Sequence, residues 1–148
     1  MKFISKAARL ENLSEMMDFA EKNTAADTDA SEELLYRIKL VCEEVLMNII
    51  SYAYEGGEGE MRLGYEMDDD TGSIILRFSD DGIAFNPLEK GDVDTSLDIM
   101  ERQIGGLGIF FVKSFSKEVS YLRNGGENVL TVILDTGKAK NDGEVTQP

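Results

Sequence analysis

An α+β fold, with helices laid over one face of a mostly antiparallel sheet, is predicted by three observations. Residues 32–54 carry a long apolar stripe at helical spacing. Two pairs of short alternating segments are each joined by a turn signal, which marks hairpins. The elements run helix, long helix, two strands, loop, helix, two strands, and strands linked as hairpins favour α+β over a parallel α/β sheet.

Each element has its own reason. Residues 2–6 read as a short strand. Residues 11–23 place Leu13, Met16, Met17 and Ala20 on one helical face. "TAADTDAS" is a polar break in which Asp29 or Ser31 can cap the next helix. Leu35, Ile38, Cys42, Val45, Leu46 and Ile49 form the stripe of the long helix, and "EGGEGE" ends it with glycine where helices commonly stop. "EMRLGYEM" and "GSIILRFSD" flank "DDDTG" as one hairpin; "KEVSYLRNGGENVLTVILD" reads as another. Between them runs a long polar segment, "DDGIAFNPLEKGDVDTSLDIMERQ", and loops of that length inside a compact domain usually carry function. One domain is expected over residues 1–136, with a polar, disordered tail over 137–148.

Composition excludes several classes. The chain of 148 residues has 29 acidic against 15 basic side chains, a net charge of −14, and this balance argues against a nucleic-acid partner. With no histidine, Ser-His-Asp and Cys-His catalysis, histidine-ligated zinc and phosphorylation of a histidine in this chain are excluded. The single cysteine, Cys42, reads as a small buried hydrophobe in a reducing compartment. No apolar run approaches the roughly 20 residues that span a membrane, and the first residues do not form a signal peptide, so the cytoplasm is expected.

Three stretches are candidates for chemistry. Glu44, Asn48 and Tyr52 recur every four residues on the long helix and so share a face. A carboxylate and an amide together suit a Mg²⁺-bound phosphate, although a solvated polar face has the same pattern. "SDDGIAFNP" closes a strand with Asp80, Gly82 and Ala84; the acid could accept a hydrogen bond from an exocyclic amine such as adenine's, or the stretch is an ordinary Asp-Gly turn. "GGLGIFFVKS" sets Gly105, Gly106, Leu107 and Gly108 at the start of a helix, where N–H groups and the dipole favour anions.

The three in this order resemble the GHKL ATPase superfamily, and more narrowly its stand-alone anti-sigma-factor serine/threonine kinases, the RsbW-like group. The words "EEVLMNIISYAY", "DDGIAFNPLE", "GGLGIFFVKSFSKEVSY" and "NVLTVIL" carry the likeness. It implies a two-layer α/β sandwich with a mixed, mostly antiparallel sheet covered on one face by helices. It implies that Glu44 is general base, Asn48 ligates Mg²⁺, and Asp80 recognises the adenine amine. Gly82 and Ala84 would lie beside the base. Gly106 and Gly108 would meet the phosphates of ATP at the end of a lid over about residues 87–104, with Gly105 and Leu107 counted in the same nucleotide-binding stretch.

By the same likeness, the phosphate acceptor is an anti-anti-sigma protein of the STAS type, a sigma factor is a competing partner, and homodimers are common. The chain departs from the pattern at Tyr52, Asn86 and Leu130, with Thr131 expected on the opposite strand face. A nucleotide-dependent partner switch without kinase activity therefore stays open as the alternative. No P-loop sequence and no His-Arg-Asp or Asp-Phe-Gly set is present.

Overall fold

The computed structural model describes residues 1–90 and 107–137. Strand β1 (Lys2–Ala7) leads into helix α1 (Leu13–Asp27) and helix α2 (Glu32–Asn48), which continues as a π-helical turn over Ile49–Ala53. The β2 (Glu60–Asp68) and β3 (Ser73–Asp80) hairpin follows. A 3₁₀ turn at Pro87–Lys90, helix α3 (Leu107–Phe115) and the β4 (Glu118–Asn124) and β5 (Glu127–Asp135) hairpin complete the order.

The five strands form one sheet in the order β1-β2-β3-β5-β4, antiparallel at every pairing among the described residues. Alternation sets its inner face. Met61, Leu63 and Tyr65 on β2, Ile74, Leu76 and Phe78 on β3, and Leu130, Val132 and Leu134 on β5 are buried. They pack against Met16 and Ala20 of α1 and against Ile38, Val41, Cys42, Val45 and Leu46 of α2. Cys42 is fully buried and its thiol is pushed well above the ordinary range by desolvation, as an inert core residue should be. The expected α+β sandwich is the observed one.

Local chemistry explains the boundaries. Ser31 caps α2, its hydroxyl accepting from the Leu34 N–H at 3.0 Å, so Ser31 rather than Asp29 is the cap. The polar break expected from Thr24 onward begins four residues later. Thr24 is buried and satisfies its hydroxyl on the Ala20 carbonyl at 2.8 Å, so α1 runs on to Asp27. Tyr65 anchors that last turn to the sheet, its hydroxyl 3.1 Å from the Asn23 carbonyl and 3.0 Å from Asp27 Oδ2. Gly125 and Gly126 turn the β4–β5 hairpin, both at positive φ (58° and 85°), as a tight two-residue turn between twisted strands requires.

The end of α2 is where fold and site meet. The long helix expected over residues 32–54 widens at Ile49 instead of staying α-helical, and such π-turns concentrate at functional sites. Within it the Ala53 carbonyl turns to the loop after β3 and accepts from the Ile83 N–H at 3.0 Å. Gly82 lies so close that an added Cβ would stand 2.2 Å from the Ala53 oxygen and 2.6 Å from the Ala53 Cβ. Tyr54 spans the same junction, accepting from the Asp81 N–H at 2.9 Å and donating to the Glu60 carbonyl at 2.6 Å.

Gly82→Ala should therefore force the α2 end and the β3 loop apart, a destabilisation of about 1–3 kcal/mol as in other overpacked sites. Thermal unfolding checks it: a melting temperature within 1 °C or so of wild type would mean that the junction yields freely.

Candidate nucleotide-binding site

Asp80 closes β3 on an inward-facing position and is 5% exposed. A carboxylate so deep must be bonded on the protein side. It is, but at one oxygen only: Oδ1 accepts from the Gly82 N–H and from the Asn128 side-chain amide, both at 2.9 Å. Oδ2 has no hydrogen-bond partner among the described residues. Asp80 lines an open slot bounded by Val45 and Asn48 of α2, Ile49 of the π-turn, Phe78 of β3, Phe85 and Pro87 of the following loop, and Leu130 of β5. Apolar walls around one free acceptor suit a flat heterocycle bearing an amine.

Asn48 brings the other polar group. Its carboxamide lines the same slot from the last turn of α2 and is bonded to nothing among the described residues. Among the described residues, no group of three His, Cys, Asp or Glu side chains could hold a metal ion by itself. The donor set fits Mg²⁺ only as a shared ligand, one amide oxygen with the rest from phosphate and water, the usual habit of that ion.

Glu44 stands one turn before Asn48, half-buried, outside the lining of the slot. Its carboxylate reaches the first turn of α3, where a Cβ on Gly108 would lie 2.1 Å from Glu44 Oε1. Gly108 thus leaves room for the carboxylate at the helix N-terminus. Burial first, and repulsion by Glu43 second, hold the Glu44 carboxyl above the usual carboxylate range.

The remaining sequence-derived residues divide. Gly82 and Ala84 do not line the slot: Gly82 packs on Ala53, and Ala84 is exposed. Leu107 is placed by its backbone at the start of α3. Gly105, Gly106, lid residues 91–104 and tail residues 138–148 lie outside the described residues. Tyr52 faces the ring of Phe85, centroids 6.0 Å apart. Asn86 caps the 3₁₀ turn, its side chain accepting from the Leu88 N–H at 2.9 Å. Leu130 lines the slot, while Thr131 takes the alternate strand position.

Phe85, Tyr121 and Asn128 are among the lining residues that the sequence does not single out. Phe85 could have been found as an aromatic inside a polar loop. Asn128 could have been found by parity, since it shares the inward register of Leu130, Val132 and Leu134.

Comparison with known proteins shows the family of the fold. The histidine kinase-like ATPase domain family matches residues 6–134. The chain belongs to that family. Among curated relatives, a protein from Listeria monocytogenes named "Serine-protein kinase RsbW" is 29% identical over 105 residues, covering 68% of this chain and 66% of its own. One from Bordetella bronchiseptica, "Serine/threonine-protein kinase BtrW", is 26% identical over 102 residues, covering 69% of this chain and 71% of its own. The chain thus spans 66% of the length of the first of these. Among solved structures, the blue-light activated histidine kinase of Erythrobacter litoralis EL346 aligns with a TM-score of 0.55 at 20% identity, over 77% of this chain and 34% of that one, a likeness of fold.

The raised carboxyl at Glu44 has a consequence for stability. The folded chain holds this proton more tightly than the unfolded one, so ionisation weakens the fold as pH climbs from the ordinary carboxylate pKa through the raised value. Glu44→Gln should melt at a higher temperature than wild type at pH 7, and the difference should vanish near about pH 3, where both forms are neutral. An equal or lower melting point at pH 7 would contradict the desolvation.

Proposed function

We propose that this chain binds Mg-ATP in the slot and transfers the γ-phosphate to a serine or threonine hydroxyl of a protein. The observation that carries the reading is the one-sided bonding of Asp80: Oδ1 is spent on Gly82 and Asn128, and Oδ2 is left to an amine within apolar walls that Asn48 shares. The names of the RsbW and BtrW relatives support the choice of reaction and of acceptor residue.

In this reading the adenine amine donates to Asp80 Oδ2. Asn48 would hold Mg²⁺, which when bound offsets phosphate charge. Glu44 takes the proton of the attacking hydroxyl as the new bond to the γ-phosphorus forms, the bond to the bridging oxygen breaks and ADP leaves. A carboxyl held above its usual range is better matched to that proton than an ordinary one. Positioning and electrostatics supply most of phosphoryl transfer, so few residues are needed. The acceptor is an anti-anti-sigma protein of the STAS type, a sigma factor competes for the same chain, and the protein works in the cytoplasm as a homodimer. No helix among the described residues is long and apolar enough to cross a membrane.

A second reading, a nucleotide-dependent partner switch without transfer, is favoured by one observation: Glu44 rests on Gly108 outside the slot lining. Incubation with γ-labelled ATP and a STAS-type acceptor separates the two, because a switch transfers no label.

Glu44→Ala should lower the transfer rate by about 10²–10⁴-fold with little change in ATP affinity; an unaltered rate would remove Glu44 as base. Asp80→Ala removes a charge-assisted hydrogen bond worth roughly 1.5–3 kcal/mol. Calorimetry should then show ATP binding about 10- to 150-fold weaker, and an unchanged dissociation constant would refute the adenine contact.

A further inference from the structure

Asn128 is 6% exposed and every hydrogen-bonding position of its amide is filled from within the protein. Nδ2 donates to Asp80 Oδ1 at 2.9 Å and to the Ile83 carbonyl at 2.8 Å. Oδ1 accepts from the Phe85 N–H at 3.2 Å and from the Tyr121 hydroxyl. A flipped amide would turn an oxygen toward two acceptors and a nitrogen toward the Phe85 N–H, so one orientation alone satisfies the site. The side chain lines the slot yet has nothing left to offer a ligand.

Its neighbours show what that saturation does. Two donors, from Gly82 and Asn128, converge on the same Asp80 oxygen and fix the carboxylate's rotation. The other oxygen is left as the acceptor that this slot-lining residue can offer. The same amide holds two residues of the loop after β3, Ile83 and the slot-lining Phe85, at fixed distance from β5.

We propose that Asn128 is the positioning residue that sets purine selectivity: by pinning Asp80 and the loop after β3, it presents one carboxylate oxygen that accepts from a 6-amino purine and repels a 6-oxo purine. This rests on the ATP reading above and adds to it a residue that touches no part of the nucleotide by hydrogen bond. Without the amide, Asp80 can rotate and the loop can shift. The carboxylate can then swing away from a 6-oxo group, or meet ring N–H donors such as guanine's. ATP should lose affinity and GTP should not.

The test is the ratio of Mg-GTP to Mg-ATP dissociation constants by calorimetry, for wild type and for Asn128→Ala. A general weakening of the fold lowers both affinities together and leaves the ratio alone, so the ratio reads positioning. Wild type should prefer ATP by at least about 100-fold, as sites built around a buried hydrogen-bonding group do, and the variant by less than about 10-fold. Asn128→Leu gives the same readout if the alanine variant does not fold. It fills nearly the volume of the amide but has no donor for Asp80 Oδ1 or for the Ile83 carbonyl. Its ratio should fall likewise. A selective wild type with equally selective variants overturns the role of Asn128 and leaves the ATP reading standing. A wild type that takes both nucleotides equally overturns the adenine contact, and the inference with it.

Discussion

A carboxylate buried at the end of a strand has to be tied on its protein side, and that requirement organises this end of the molecule. Asp80 is held by the Gly82 N–H and by Asn128 on the adjacent strand, and Asn128 in turn holds Ile83, Phe85 and Tyr121. Ile83 also donates to Ala53 in the π-turn that ends α2. Three separate pieces of chain, the last turn of the long helix, the loop after β3 and the start of β5, are thereby locked around one acid. On the outer face Arg62 braces the same strand ends through Ser79, Asp81 and Glu127. Satisfying one charge on one oxygen builds the slot and leaves the second oxygen to recognise what enters.

Helix α2 serves both the core and the site. Its inward stripe of Ile38, Val41, Cys42, Val45 and Leu46 is buried against the sheet, which fixes the helix in rotation. The adjoining face then has no choice about where it carries Glu44 and Asn48. One turn of helix separates them, yet they meet different surroundings: Asn48 opens on the slot, while Glu44 meets the first turn of α3 across Gly108. The missing Cβ at position 108 lets a partly desolvated carboxylate approach a helix N-terminus, where the dipole favours negative charge.

Much of this was legible in the residues themselves. The period of two in β2, β3 and β5 and the helical stripe of α2 identify fold class and core, because alternate burial leaves a direct trace in polarity. The spacing of Glu44 and Asn48 and the placing of Asp80 after an apolar strand point to the same end of the molecule. Other features leave weaker traces. Asn128 follows "NGGE" and looks like part of a turn; only its register with Leu130 shows that it faces inward. Gly82 suggests freedom of the chain or room for a ligand, whereas it is glycine because the Ala53 carbonyl lies against it, a contact between residues 29 positions apart. The π-turn ends at the residue that makes that contact, Ala53, and local propensity gives no sign of it. Thr24 looks like a helix breaker until its hydroxyl is seen bonded one turn back.

The most direct measurement is amide and side-chain NMR of the ¹⁵N-labelled protein titrated with a non-hydrolysable Mg-ATP analogue. The largest shifts should fall on the backbone amides of Asp80, Gly82 and Phe85 and on the side-chain amides of Asn48 and Asn128. Saturable binding with those signals unmoved, and shifts gathered instead on residues remote from Asp80, would contradict a nucleotide slot built on Asp80.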